Sequence, residues 1–320
     1  MWRNGRLPGT SRAGGLRRTD GDGRRAKGSR SRRVSLFLQQ VLNGLTLGSV
    51  YSLVALGLTL VYGILHIPNF SHGALFTAGA YAAFFVSGTL GANYWVALAA
   101  AALVTAALAV VCERLVFSRL RDSPPLHDMI AAIGLLLLIE AIAHAIWGAD
   151  FRRLAPPYPG ILRIAGTVLP IQRALIIAGA IGLMVALHLF LTRTVTGSTI
   201  VAMAQNREGA SLVGIDLARV SMITFAISGA LAAVAAVLFV PISLIFPTMG
   251  NLVILKAFVI IILGGMGSVP GAILGGMIIG FAESFGAFYI STDLKDLIAF
   301  AALVLILSVR PQGLFPSAAR

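Results

Sequence analysis

Runs of about 20 mainly apolar residues, the length an α-helix needs to cross the hydrocarbon core of a bilayer, recur along almost the whole chain. Nine such segments are read, at roughly 36–65, 71–90, 93–116, 128–148, 170–192, 216–240, 251–266, 270–290 and 294–310. Backbone polar groups in hydrocarbon must bond within their own segment, so these are helices; a β-barrel would alternate over about ten residues per strand. Composition agrees: 58% of residues are hydrophobic and 12% charged, half the charge of an ordinary soluble domain, so lipid is the main solvent. The predicted fold is an all-α integral membrane protein, a polytopic helical bundle of about 8 spanning helices with broken or re-entrant segments. The expected organisation is a basic, disordered tail at 1–33, a transmembrane domain at 34–316 and a short cytoplasmic C-terminus at 317–320.

A net charge of +13 would suggest a nucleic-acid partner if it were spread over the surface. It is local instead. Residues 1–33 hold ten Arg and Lys27 against Asp20 and Asp22, a net of +9 that leaves +4 for the other 287 residues. A segment this poor in apolar side chains cannot offset its ordering entropy, hence the expectation of disorder. Its charge is read as holding the N-terminus on the cytoplasmic side. Ser31-Arg32-Arg33 before an apolar run also suggests a twin-arginine export signal, but that run is about twice the length of a signal core and has no early cleavage site. No aromatic residue is interleaved with the arginines after Trp2, so the partner expected is the lipid bilayer and not nucleic acid. Cys112 is the only cysteine, which excludes an intrachain disulfide.

Charged loops give an orientation. Arg114, Arg119 and Arg121, then Arg193 and Arg207, then Arg310 and Arg320 mark three cytoplasmic stretches, which puts both termini inside. The loop from Ala149 to Pro170 conflicts with this, because it carries Arg152, Arg153 and Arg163 where alternation places it outside. Parity conflicts as well: three segments lie between a cytoplasmic N-terminus and the cytoplasmic loop at 114–127, so one should not span fully. The segment at 66–90 is the suspect, since it opens with His66-Ile67-Pro68-Asn69-Phe70-Ser71-His72-Gly73, where proline removes a donor and glycine loosens the helix.

A second interruption stands at Gly264-Gly265-Met266-Gly267-Ser268-Val269-Pro270-Gly271. Paired interruptions in the two halves of a transporter point to discontinuous helices along the substrate path. The candidate pathway residues are therefore Asn69, Ser71, His72, Gly73, Gly264, Gly265, Gly267 and the intramembrane Glu283. Close helix packing is the competing reading for Gly271, Gly275, Gly276 and Gly280, which fall at helical spacing. Glu140 and His144, four apart, are read as a proton relay or as a satisfied interhelical contact, and Lys256 as snorkelling to the interface. The five histidines are scattered, so no metal site is expected, and no catalytic constellation is found. Lysine occurs only at 27, 256 and 295, none in a G-x-x-x-x-G-K-[ST] loop, so any ATP that drives this chain is expected on another one.

The stretch from Thr192 to Asp216 is too polar to span, yet Ala202, Met203, Ala210, Leu212 and Val213 give it enough apolar surface to dock as a short amphipathic helix. Together with "LQQVLNGLTLGSVYSLVALGLTLVYGI", "IPNFSHG", "AQNREGASLVGID", "KAFVIIILGGMGSVPGAILGG" and "RPQGLF", it makes residues 36–316 resemble LivH-type permease subunits of bacterial branched-chain amino acid ABC transporters. The resemblance implies a multi-pass protein of the bacterial inner membrane that moves leucine, isoleucine and valine inward. It also implies its partners: a second, LivM-type permease, two LivG/LivF-type ATPases that bind ATP and Mg, and a periplasmic amino-acid-binding protein. It places Asn206, Glu208, Gly209 and Gly214 at the ATPase contact, although Glu208 is followed by Gly-Ala and not by the Ala-Ala of the usual coupling loop. Related permeases carry urea or short amides, and an ion-coupled secondary transporter using Glu140, His144 and Glu283 is the reading from another class.

Overall fold

The computed structural model describes residues 21–66, 68–121, 123–164, 167–310 and 313–315. Eleven α-helices and one small hairpin are present among them. In order they are α1 (Gly21–Leu65), α2 (Ser71–Phe84), α3 (Tyr94–Cys112), α4 (Pro125–Trp147), β1 (Ile161–Ile164), β2 (Thr167–Pro170), α5 (Ile171–Arg193), α6 (Val195–Gln205), α7 (Arg207–Leu212), α8 (Leu217–Phe239), α9 (Met249–Gly264), α10 (Val269–Tyr289) and α11 (Lys295–Val309). Six stretches are long and apolar enough to cross a membrane, carried by α1, α3, α4, α5, α8 and α10. The apolar helices α2, α9 and α11 are shorter, at 14, 16 and 15 residues.

Residues 1–20 of the basic tail lie outside the described residues, and α1 is described from Gly21 onward.

The bundle is organised around the antiparallel pair α1 and α10. Gly44 faces Phe281, Gly48 faces Met277 and Gly280, and the Ser52 hydroxyl donates to the Ile273 carbonyl at 2.9 Å. Small residues on both helices let the backbones touch, as lipid-embedded packing requires. This pairing fixes direction. The first residues of α1 lie with the end of α10 and with the hairpin, where the Thr167 hydroxyl is 3.5 Å from the Ser35 carbonyl. The end of α1 lies with α6, since Gly63 packs on Ala204. At that same end, the last described residues cap α9: the amides of Leu314 and Phe315 donate to the carbonyls of Leu263 and Gly264, both at 2.9 Å.

Residue 35 and residues 313–315 are therefore on opposite faces of the bundle; the two termini, expected to share the cytoplasmic face, lie outside the described residues. Six stretches are long enough to span, and α2 and α9 are shorter helices that begin inside the bundle, so the segment at 66–90 is a broken one. The meshing of α1 with α10 sets the direction of α1 within the bundle. Arg152, the anomaly in the 149–170 loop, is held locally: its guanidinium donates to the Trp147 carbonyl at 3.3 Å and lies 5.9 Å over the Phe84 ring. Single cysteines in a Cys112→Ala chain test this arrangement. Val34→Cys and Phe151→Cys should label from one side of sealed vesicles and Ser211→Cys from the other; labelling of Val34→Cys with Ser211→Cys would refute it.

The interruption at 66–70 is real and has a specific form. His66 takes a positive φ of 56° just past the end of α1, a conformation open to few residues other than glycine. The chain reverses and re-enters the bundle, so that His72 lies beside Val54 and Gly57, about two to three turns back along α1. From there α2 runs out to the hairpin side, where Tyr81 stacks on Trp147. Helix α9 also begins inside: the Gly250 amide donates to the Thr77 hydroxyl at 3.0 Å, and Gly73 and Gly250 touch through their backbones. By contrast Gly264–Gly271 is the turn joining α9 to α10 on the α6 side. Its Gly265 and Gly267 have φ of 102° and 82°, which L side chains rarely adopt. The second interior helix start is thus at Thr248–Gly250, not at 264–271.

Candidate functional site: a charged cavity and an exposed helix pair

On the hairpin side of the bundle a cavity of about 650 Å³ lies between α1, α5, α9, α10 and α11. Tyr51, Lys256, Glu283, Asp296, Arg173 and Asn43 supply its polar lining. Apolar side chains of Leu47, Val50, Phe246, Leu252 and Val253 make up much of the remainder.

Its charged group joins four helices. The Lys256 ammonium on α9 is 2.9 Å from a Glu283 carboxylate oxygen on α10 and 2.8 Å from an Asp296 oxygen at the start of α11. It also donates to the Tyr51 hydroxyl of α1 at 3.0 Å, and that hydroxyl donates to Glu283 at 2.8 Å. Lys256 is 8% and Glu283 2% exposed. Lys256 therefore does not snorkel: two carboxylates and a phenol within reach satisfy its ammonium better than a route to the interface would. At the wall of the cavity, the Arg173 guanidinium donates to the Asn43 side-chain oxygen.

Of the residues singled out in the sequence as pathway candidates, Glu283 lines this cavity and the others do not. Asn69, Ser71, His72 and Gly73 form the buried start of α2. The Asn69 side-chain oxygen accepts from the Ser71 amide at 3.1 Å and hydroxyl at 2.6 Å, which orders the first turn. His72 is wholly buried, its Nε2 donating to the Val54 carbonyl at 3.1 Å and its Nδ1 3.2 Å from the Ser228 hydroxyl, so it ties α2 to α1 and α8. Gly264, Gly265 and Gly267 belong to the α9–α10 turn, with Gly313 packed against Gly265. Glu140 turns to Asn251 while His144 is exposed. Sequence reasoning missed Tyr51, Arg173 and Asp296, and it read Lys256 separately from Glu283. The available signal was the presence of opposite charges in two segments otherwise almost free of them.

On the opposite face, the stretch expected to form one amphipathic helix forms two. The Thr194 hydroxyl accepts from the Gly197 amide at 3.0 Å to start α6, and the Asn206 side-chain oxygen accepts from the Gly209 amide at 2.8 Å to start α7. Gly214, at φ 84°, follows the end of α7, and Asp216 caps α8 through the amides of Ala218 and Arg219. Ile200, Met203 and Ala210 are buried against the bundle, but Leu212 and Val213 are 87% and 77% exposed and do not dock as expected. Glu208 stands exposed in the first turn of α7. A break at Asn206 rotates the second half of the stretch, which keeps Ala210 inside and carries Leu212 and Val213 outward.

Comparison with known proteins places this architecture. The family model described as branched-chain amino acid transport system, permease component, matches residues 40–307. The chain is 36% identical over 293 residues to the high-affinity branched-chain amino acid transport system permease protein BraD of Pseudomonas aeruginosa, covering 87% of this chain and 95% of that protein. It is 36% identical to the high-affinity permease protein LivH of Escherichia coli with the same coverage, and 26% identical over 287 residues to a probable LivH of Methanocaldococcus jannaschii. Among solved structures, PsaBC from Streptococcus pneumoniae in complex with Fab superposes with a TM-score of 0.46 at 11% identity, over 86% of this chain and 92% of that one. With the family model spanning most of its length, the chain belongs to the permease components of branched-chain amino acid transport systems.

Proposed function

We propose that this permease is the membrane-spanning subunit of an ABC importer that carries leucine, isoleucine and valine into the cytoplasm. The observation that carries the reading is the match to the permease family over residues 40–307, joined to 36% identity with proteins named for high-affinity branched-chain amino acid transport. Those names favour branched-chain amino acids over urea or short amides. The energy comes from two LivG/LivF-type ATPases that bind ATP and Mg. A second, LivM-type permease completes the membrane part, and a periplasmic binding protein delivers substrate. In a bacterial inner membrane, α6 and α7 then face the cytoplasm with residues 313–315, and the hairpin and the start of α1 face outward.

The chain's own geometry suits such a coupling. Exposed Leu212 and Val213 beside Glu208 offer an apolar and acidic tip to a cytoplasmic partner. Caps at Thr194, Asn206 and Asp216 stiffen the path from that tip into α5 and α8. Through the contact of Ala204 with Gly63, α6 presses on the end of α1, the helix that carries Tyr51 to the cavity. Closure of the ATPases would move α6 and α7, tilt α1 and expose the cavity to the two sides in turn. Glu208→Arg inverts the charge of the tip at an exposed position and should leave folding intact. ATP-coupled leucine uptake by the assembled transporter should fall by about tenfold or more, as for loss of a charge-assisted contact. Uptake at the original rate would remove α7 from the mechanism.

A further inference from the structure

Both signs of charge in the wall of an intramembrane cavity are costly and ask for a ligand of matching chemistry. Lys256 supplies one positive charge to two carboxylates, Glu283 at 2.9 Å and Asp296 at 2.8 Å, so this cluster carries one negative charge in surplus. Arg173 lines the same cavity, bonds to the uncharged Asn43 and makes no ion pair among the described residues. One surplus carboxylate charge and one guanidinium therefore face a shared space walled by Leu47, Val50, Phe246, Leu252 and Val253. Its volume, about 650 Å³, is that of a small-molecule pocket.

We infer that this cavity binds one zwitterionic α-amino acid with an apolar side chain. The α-ammonium pairs with Glu283 and Asp296 beside Lys256, the α-carboxylate with Arg173, and the side chain lies on the apolar wall. A purely apolar ligand would leave the surplus charges unmet, and a ligand of one sign would meet only half of them. The inference rests on the import reading above, and it adds a contact made by this chain itself, after the binding protein has released the substrate.

The test uses the assembled transporter in lipid nanodiscs without its binding protein, with Cys112→Ala and Val253→Cys in this chain and maleimide labelling of the introduced thiol as the readout. The probes are L-leucine, leucinamide, which lacks the carboxylate, and 4-methylpentanoate, which lacks the ammonium. Leucine should protect at concentrations about tenfold or more below either analogue, since each analogue loses one charge-assisted contact. Arg173→Gln should erase the preference for leucine over leucinamide, and Glu283→Gln should narrow the preference over 4-methylpentanoate. A merely structural role for these residues would not produce that crossed pattern. Equal protection by all three probes, meaning an unspecific apolar cavity, overturns the site. So does absence of protection in a preparation that imports leucine once binding protein is added. Selective protection in a preparation that imports none keeps the site and overturns the import reading.

Discussion

A Lys256→Met permease should lose about 3–5 kcal/mol of stability, because the change leaves the buried Glu283 carboxylate without its cation. Glu283 is 2% exposed and keeps only the Tyr51 hydroxyl as a donor at 2.8 Å, too little to hold a carboxylate in this setting. Asp296 contributes less to the loss: its side chain is 40% exposed, so solvent screens its pairing with the lysine. The measurement is the thermal unfolding midpoint of the purified transporter, compared with a Lys256→Met, Glu283→Gln double variant. Removing both charges of a buried pair is far milder than removing one, so the double variant should recover most of the stability. If the single variant unfolds where the wild type does, Lys256 does not clasp α1, α9, α10 and α11 together.

The same cluster marks the boundary of what the sequence made legible. Membrane class, the helical segments and the break before α2 could be read directly, because each depends on local composition: run length, proline at 68, glycine at 73. The family resemblance rested on contiguous motifs and was equally local. What escaped was set by pairing between distant segments. Glu283 and Lys256 were visible as intramembrane charges, but their meeting with Tyr51 depends on α1 packing antiparallel to α10, which no local pattern encodes. Gly264 and Gly271 looked like a broken helix and instead let the turn between α9 and α10 close, backbone against backbone. The direction of the first helix within the bundle escaped for a related reason: the fit of Gly44 and Gly48 against α10 has no local signature.

That fit yields the other large effect expected of a single substitution. A Cβ at Gly280 would overlap the backbone of Gly48, and it would approach the Gly44 carbonyl at 2.8 Å, so Gly280→Leu cannot be absorbed by a side-chain rotation. The two helices must separate, and with them go Ser52 to Ile273, Tyr51 to Glu283 and Ser284 to the Gln40 carbonyl, the hydrogen bonds that join α1 to α10. In lipid no hydrophobic force pushes helices back together, so lost van der Waals contact is not recovered elsewhere. A cost of ~3 kcal/mol or more is expected, at the upper end for overpacked sites. It should appear as a collapse of the monodisperse peak when the transporter is purified in detergent. Gly134→Leu is the control: on α4 a Cβ there meets nothing within 4 Å, and replacing an unneeded helical glycine is neutral or mildly stabilising. Equal yields for the two leucine variants would show that the close approach of α1 to α10 is not what holds this bundle together.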